Sequence, residues 1–222
     1  MADYSSLEKI RLEKIEQLKS EGIDPFPLRS NRTHTSVQAI EAQEAAEKKA
    51  EPGSQPIEVK ATLVGRIRAT RPMGKLTFAH IEDGEGRIQL FLRINELGQE
   101  RVDLFDNKLD LGDFIQASGL MMRTRSGEPT LLVQDFTLLA KAVSPLPAAK
   151  DETLEDGTVI RHAALEDTEL RARQRYADLA VNPEVRKVFR TRSAIIRSLR
   201  EFLDSHDFLE VETPILQPIY GG

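Results

Sequence analysis

The hydrophobic pattern of this chain changes period at Ile57, and that change decides most of what it can fold into. From there "IEVKATLVGRIRA" alternates apolar and polar residues, as a half-buried strand does, with Gly65 marking a bend or bulge. "KLTFAHI" repeats the alternation, and "EDGEG" follows as a turn of residues that tolerate positive φ. "RIQLFLR" reads as a third strand. "NELGQERVDLFDNKLDLGD" then breaks the period-2 pattern with a short helix or loop. "FIQASGLMMRTR" and "PTLLVQDFTLLAKAV" resume it as strands four and five, joined across the "SGE" turn.

Five strands with a helical segment between the third and fourth is the order of an OB-fold, a small closed Greek-key barrel. An SH3-like barrel is the competing arrangement of five short strands, and the interposed helix favours the OB-fold. Two helices are predicted before the barrel. Ser5 with Glu8 forms a capping box at the start of a helix running to Glu21, and Gly22 is a plausible stop. A second helix starts at Thr35, with Gln38 completing its box, and runs until Pro52 and Gly53 break it. The fold class expected is α+β. It divides into an N-terminal helical extension over residues 1–55, an OB-fold domain over 56–143, a linker over 144–170 and a last region over 171–222.

The linker, "SPLPAAKDETLEDGTVIRHAALEDTE", is rich in prolines, acids and small residues. After it the charge reverses. Between Arg171 and Arg200 nine basic residues face only Asp178 and Glu184, in a chain whose net charge is −5. Asn182 followed by Pro183 marks a helix start, a capping side chain and then a residue with no N–H to leave unpaired. That helix is expected to reach about His206 and to bury a wide stripe from Val185 to Leu203. "FLEVETPIL" follows as a strand.

The chain has no cysteine, which excludes disulfides and thiolate zinc sites and fits a reducing cytosol. Its start lacks the apolar core of a signal peptide, and no run of about 18 apolar residues spans a membrane. The four histidines have no ligand spacing, and neither a Walker loop nor Gly-x-Gly-x-x-Gly occurs. Binding features are present instead. No acidic residue lies between Glu58 and Glu82, where Lys60, Arg66, Arg68, Arg71 and Lys75 accompany Phe78, and Gln89 follows on the next strand. On an OB-fold wall, cations follow phosphates and aromatics stack on bases, while an amide offers a base edge both a donor and an acceptor. The alternative puts Phe78 in the core and the cations on a solvated strand face. Glu128, in "TRSGEPT", is ordinarily solvated, but at the mouth of such a barrel it can accept from a base. Glu210 and Glu212 share one strand face and suggest pairing with the arginine-rich helix rather than catalysis.

Four stretches together resemble one family. They are "LVGRIRATRPMGKLTFAHIEDGEGRIQLFL", "LDLGDFIQASGLMMRTRSGEPTLLV", "ELRARQRYADLAVNPEVRKVFRTRSAIIRSLREFL" and "FLEVETPILQPIYGG". With "DPFPLRSNRTHT" near the start, they look like the bacterial lysine–tRNA ligases of class II. The barrel alone would be shared with aspartate and asparagine ligases; "RQRYADL" and "LQPIYGG" favour lysine.

The resemblance implies that "FLEVETPILQP" matches motif 1, the helix and strand of a class II dimer interface, with Phe208, Val211 and Pro214 in it. It implies a truncated start of the catalytic domain over 171–222, without motifs 2 and 3, so that this chain holds no catalytic residues or metal site. It also implies anticodon contacts at Arg66, Arg71, Phe78, Gln89 and Glu128, with Phe78 stacking on the central uridine, Gln89 reading its edge and Glu128 reading the third position. Many members carry two cations where this chain has Thr70-Arg71. The activity implied is ATP-dependent attachment of lysine to tRNA-Lys by a cytoplasmic homodimer. ATP and Mg2+ would serve the full-length enzyme and would not bind this chain alone, which is expected to be inactive. The other function considered is a non-catalytic OB-fold module that binds RNA.

Overall fold

The computed structural model of the chain describes residues 4–49, 57–147, 150–153, 159–162, 165 and 167–215. It divides into two compact units, Met1–Pro145 and Leu146–Gly222.

In the first unit, α1 spans Ser6–Ser20 and α2 spans Ser36–Lys49. The Ser5–Glu8 box closes on both sides. The Ser5 N–H donates to the Glu8 carboxylate at 2.9 Å, and the Glu8 N–H to the Ser5 hydroxyl at 3.3 Å. Thr35 and Gln38 close the second box at 3.0 and 3.2 Å. Five strands follow: β1 (Lys60–Pro72), β2 (Leu76–Glu82), β3 (Arg87–Arg93), β4 (Phe114–Arg123) and β5 (Pro129–Ala140). Short helices α3 (Ile94–Leu97) and α4 (Gln99–Lys108) lie between β3 and β4. The strands close in the order β1-β2-β3-β5-β4, with β1 pairing β4 and β3 running parallel to β5. This is the OB-fold order expected from the sequence.

Alternation decides what faces inward. Ala61, Leu63, Ile67, Ala79, Ile81, Ile88, Leu90, Leu92, Ile115, Ala117, Leu131 and Val133 form the core, and Phe105 of α4 packs edge-on against Phe136 with centroids 5.5 Å apart. Burying each large apolar side chain stabilises the barrel by about 1.5–3 kcal/mol. Gly119 sits where β4 presses on β5. A Cβ there would lie 1.9 Å from the Leu132 carbonyl oxygen, so only glycine lets the barrel close.

Helix α1 is tied to one end of the barrel by charge. The Arg11 guanidinium donates to the carbonyls of Ala142 and Leu111 at 2.9 and 3.1 Å. Lys14 meets Asp110 at 2.7 Å, and the fully buried Lys141 sits between Asp110 and Asp113, 2.6 Å from the latter. Helix α2 is anchored on the β2–β3 turn. The Asp83 carboxylate accepts from the Ser36 N–H and hydroxyl at 2.6 and 2.9 Å.

The second unit contains a two-stranded antiparallel hairpin, β6 (Lys150–Thr153) with β7 (Val159–His162), within the stretch read as linker. Then come α5 (Thr168–Arg173), α6 (Arg175–Val181) and α7 (Pro183–Asp204). Buried Asp178 organises the turn into α7, accepting from Arg171 at 3.0 Å, from Arg175 and from Asn182 Nδ2 at 2.8 Å. Asn182 therefore does not cap α7 with its side chain, as the sequence suggests. Its amide is engaged by Asp178 one turn earlier.

Two further expectations fail in this unit. The stripe on α7 is not buried: Val185 is, but Val188, Phe189, Ile195, Ile196, Leu199, Phe202 and Leu203 are 39–66% exposed. Residues 208–215 form no strand, and Phe208, Val211 and Pro214 are exposed. Burial of a stripe and formation of a strand are both relations to a second surface, since a strand is defined by the neighbour that satisfies its N–H and C=O groups. Glu210 does meet the basic helix, 3.0 Å from Arg200.

Candidate nucleic-acid interface

The outer wall of β1–β2–β3 carries the candidate site, and the register sets it out in rows. Residues directly opposite one another on neighbouring strands share a face. One row is Arg71, Phe78 and Phe91; the next is Ala69, His80 and Gln89, with Thr130 opposite Gln89 on β5; the third is Arg66, Glu82 and Arg87.

The first row depends on a bulge. The β1–β2 register shifts between Ile67 and Ala69, which leaves Arg68 without an opposite residue. Without that extra residue the period-2 alternation that puts Arg66 outside would turn Arg71 inward. The bulge instead brings Arg71 onto the outer face opposite Phe78. Phe78 stacks on Phe91 with ring centroids 4.8 Å apart and planes 9° from parallel. The Arg93 guanidinium lies 5.9 Å from the Phe91 centroid. Phe91 thus braces Phe78 from the β3 side, and Arg71 flanks it from the β1 side. Phe78 is half-buried on the outside of the barrel, while its strand neighbours Thr77 and Ala79 are fully buried inside. The alternative that put Phe78 in the core is therefore excluded.

The second row is polar and interlocked. Gln89 donates through Nε2 to Glu128 at 2.8 Å, and its Oε1 accepts from the Thr130 hydroxyl at 2.9 Å. His80 Nε2 lies 3.2 Å from the other Glu128 oxygen, and facing a carboxylate that nitrogen is the donor. The turn that carries Glu128 is itself held. Gly127 adopts φ +85°, which an L side chain resists. Thr124 and Glu128 exchange hydrogen bonds, and Arg123 donates to the Gly127 carbonyl while pairing with Glu47 of α2 at 2.7 Å. His80, Gln89 and Glu128, with Ile40 of α2, line an open hollow of about 400 Å³.

Arg66 stands apart from these residues. It lies two rows from Arg71, about 13 Å at roughly 3.3 Å per residue. Its guanidinium covers the Phe114 ring at 4.3 Å and donates to the Gly112 carbonyl at 3.2 Å. Burial and the neighbouring Arg68 lower its pKa against the pull of Glu82. Arg68 pairs with Glu82 at 3.0 Å. Arg71, Lys75 and Arg87 are exposed cations on or beside the wall and form no ion pair with the described residues. The same residues contain no group of three or more His, Cys, Asp or Glu arranged to hold a metal. No described helix is long and apolar enough to cross a membrane.

Comparison with known proteins fits this geometry. Residues 61–139 match the family model described as an OB-fold nucleic acid binding domain, and residues 167–222 match that of the class II tRNA synthetases (D, K and N). The chain is 46% identical over 221 residues to a lysine–tRNA ligase of Roseiflexus castenholzii, covering 99% of this chain and 41% of that protein. It is 44% identical over 220 residues to that of Pelotomaculum thermopropionicum, covering 99% and 39%, and 40% identical over 222 residues to that of Clostridium novyi, covering 100% and 39%. All three of these relatives are lysine–tRNA ligases. The chain spans about two fifths of the length of these curated relatives.

The five residues picked from the likeness to lysine–tRNA ligases divide accordingly. Phe78, Gln89 and Glu128 lie together with Arg71 beside them, and Arg66 lies elsewhere on the wall. His80, Phe91 and Thr130 complete these rows and are not among the residues expected from the sequence to form the site. Period 2 was the available signal: "FAH" puts His80 on the face of Phe78, and "QLF" puts Phe91 on the face of Gln89.

Proposed function

We propose that the barrel of this chain selects tRNA-Lys by its anticodon, as part of an ATP-dependent lysine–tRNA ligase. The observation that carries the reading is the outer wall itself, where an exposed cation, a braced aromatic ring and an oriented amide stand in adjacent rows. Stacking on a ring such as Phe78 is worth about 1–3 kcal/mol per base. Phosphate contacts from Arg71 would position the loop, and the edge contact at Gln89 would specify it. In this reading Phe78 stacks on the central uridine, Gln89 reads its edge and Glu128 faces the third anticodon position. Arg66, already engaged by Phe114 and Gly112, would contribute charge to the backbone path rather than a base contact. The exposed stripe of α7, with Phe208, Val211 and Pro214, would form a homodimer interface. The protein would act in the cytoplasm. The family is ATP-dependent and typically uses Mg2+, and no residue of this chain is assigned to either.

The test is binding of a labelled anticodon stem-loop of tRNA-Lys to the full chain, against a loop with its central base changed. The lysine loop is expected to bind tighter, and Arg71→Ala to weaken both loops alike while lowering the salt dependence. Equal affinity of the wild-type chain for the two loops would refute the reading.

A further inference from the structure

We propose that Glu128, held by His80, fixes which way round the Gln89 amide faces, and so sets whether the base meeting that amide is read as uridine or cytidine. The proposal deepens the anticodon reading above and rests on it.

The argument starts from the symmetry of a carboxamide. A glutamine offers one donating and one accepting end, and a half-turn about its last bond exchanges them. Uridine presents N3–H as donor and O4 as acceptor. Cytidine presents N3 as acceptor and its N4 amino group as donor. The same amide therefore serves either base if it is free to turn, and a glutamine alone does not distinguish them.

Gln89 is not free to turn. Its Nε2 lies 2.8 Å from Glu128 Oε2, and a carboxylate has only acceptors to offer. Reversing the amide would put oxygen against oxygen. Thr130 does not impose the same choice. Its hydroxyl donates to Gln89 Oε1 at 2.9 Å, yet it also lies 3.1 Å from the Glu128 carbonyl and could accept from a reversed amide while donating there. The lock is therefore the carboxylate. Each end of the amide keeps one site for a base: Nε2 has a second hydrogen and Oε1 a second lone pair. That arrangement matches O4 and N3–H of uridine and mismatches cytidine.

Glu128 can act as a lock only if it is itself held, since its side chain is 45% exposed. His80 supplies that restraint. It stands in the same row as Gln89, and its Nε2 reaches the second carboxylate oxygen at 3.2 Å. The Thr124–Gly127 turn fixes the backbone from which Glu128 projects. Glu128 and His80 are positioning residues in this scheme, acting through Gln89.

The experiment uses the full chain and three RNA stem-loops: the lysine anticodon loop, the same loop with uridine replaced by cytidine at the base facing Gln89, and one altered only at the third anticodon position. Glu128→Gln keeps the shape and lets both amides turn together. It is expected to lower the uridine-over-cytidine preference by about five-fold, the worth of one net hydrogen bond, with part of the change being tighter binding of the cytidine loop. The two Gln89 side-chain amide protons, resolved by ¹⁵N NMR in the free protein, should move toward each other in shift as the carboxylate contact is lost. His80→Ala should change the same ratio in the same direction by a smaller factor, which keeps the idea testable if Glu128→Gln disturbs the turn. A Glu128→Gln chain that keeps the full uridine preference, and changes only its response to the third position, would overturn the proposal while leaving the anticodon reading intact. A wild-type chain with no preference between the first two loops would overturn both.

Discussion

Removing the Phe78 ring separates a binding residue from a packing residue, because the two roles predict opposite ratios of cost. A Phe→Ala change in a well-packed core costs about 3–5 kcal/mol of stability. Phe78 is instead half-buried on the outer wall, and its principal ring partner is Phe91 at 4.8 Å. Losing one stacked pair costs about 0.5–1.5 kcal/mol, and the part-buried area adds a similar amount, so Phe78→Ala should destabilise the barrel by about 1–3 kcal/mol. The lost base stack should weaken the lysine anticodon loop by about 1–3 kcal/mol, roughly 5- to 150-fold in Kd. The assay pairs urea denaturation, followed by far-UV circular dichroism, with fluorescence anisotropy of a labelled stem-loop. Phe91→Ala is the control: it should cost a comparable amount of stability and less binding, since Phe91 supports the ring rather than offering the open face. A Phe78→Ala chain that loses about 4 kcal/mol or more of stability and still binds the loop with wild-type affinity would refute the reasoning.

Lys141 is fully buried between Asp110 and Asp113, so Lys141→Met leaves the buried Asp113 carboxylate without its cation, while Asp110 keeps Lys14, and should cost about 3–5 kcal/mol in denaturation experiments at pH 7. The acid limb of stability should depend on Asp83 and Asp110. Burial pushes both carboxyls up, but the N–H groups of Ser36, Gly86 and Glu85 outweigh it at Asp83, and Lys14 and Lys141 outweigh it at Asp110, so both sit below the ordinary 3.8. Their contribution is complete above that value and is lost as pH falls below it through the lowered folded values, whereas Asp106, raised by burial against the pull of Thr77, works in the opposite sense. Asp83→Asn should therefore narrow the difference in urea midpoint between pH 7 and pH 3, and an unchanged difference would remove Asp83 from the account.

The barrel was legible because period 2 is a local signal. Once the runs at Ile57, Lys75, Arg87, Phe114 and Pro129 are read as strands, alternation separates Ala79 from Phe78 and Leu90 from Gln89 onto opposite faces, and burial then shows Ala79 and Leu90 inward. The bulge at Arg68 was not legible. Counting along β1 without it puts Arg66, Arg68 and Thr70 on one face and Arg71 on the other, so the row that joins Arg71 to Phe78 exists only in the register with β2. The polar row was half legible for a similar reason. Gln89 and Glu128 stand out as residue types, but the contact between them needs β3 to run parallel beside β5, a pairing between segments about forty residues apart.

The second unit failed in a different way, and the failure is informative about what a sequence pattern encodes. The stripe from Val188 to Leu203 and the alternation in "FLEVETPIL" were read as a buried helix face and a strand, and within this chain neither is realised. Helix propensity and the Asn182–Pro183 junction are local, so α7 forms over Pro183–Asp204 regardless of what covers it. Burial and strand pairing are relations to another surface, and the pattern carries the demand without the supplier. An apolar stripe running over about four turns, beside an extended segment that pairs with no strand among the described residues, is the pattern expected of a surface that another element covers. That is the physical ground, independent of any likeness to lysine–tRNA ligases, for the interface proposed at α7 and residues 208–215.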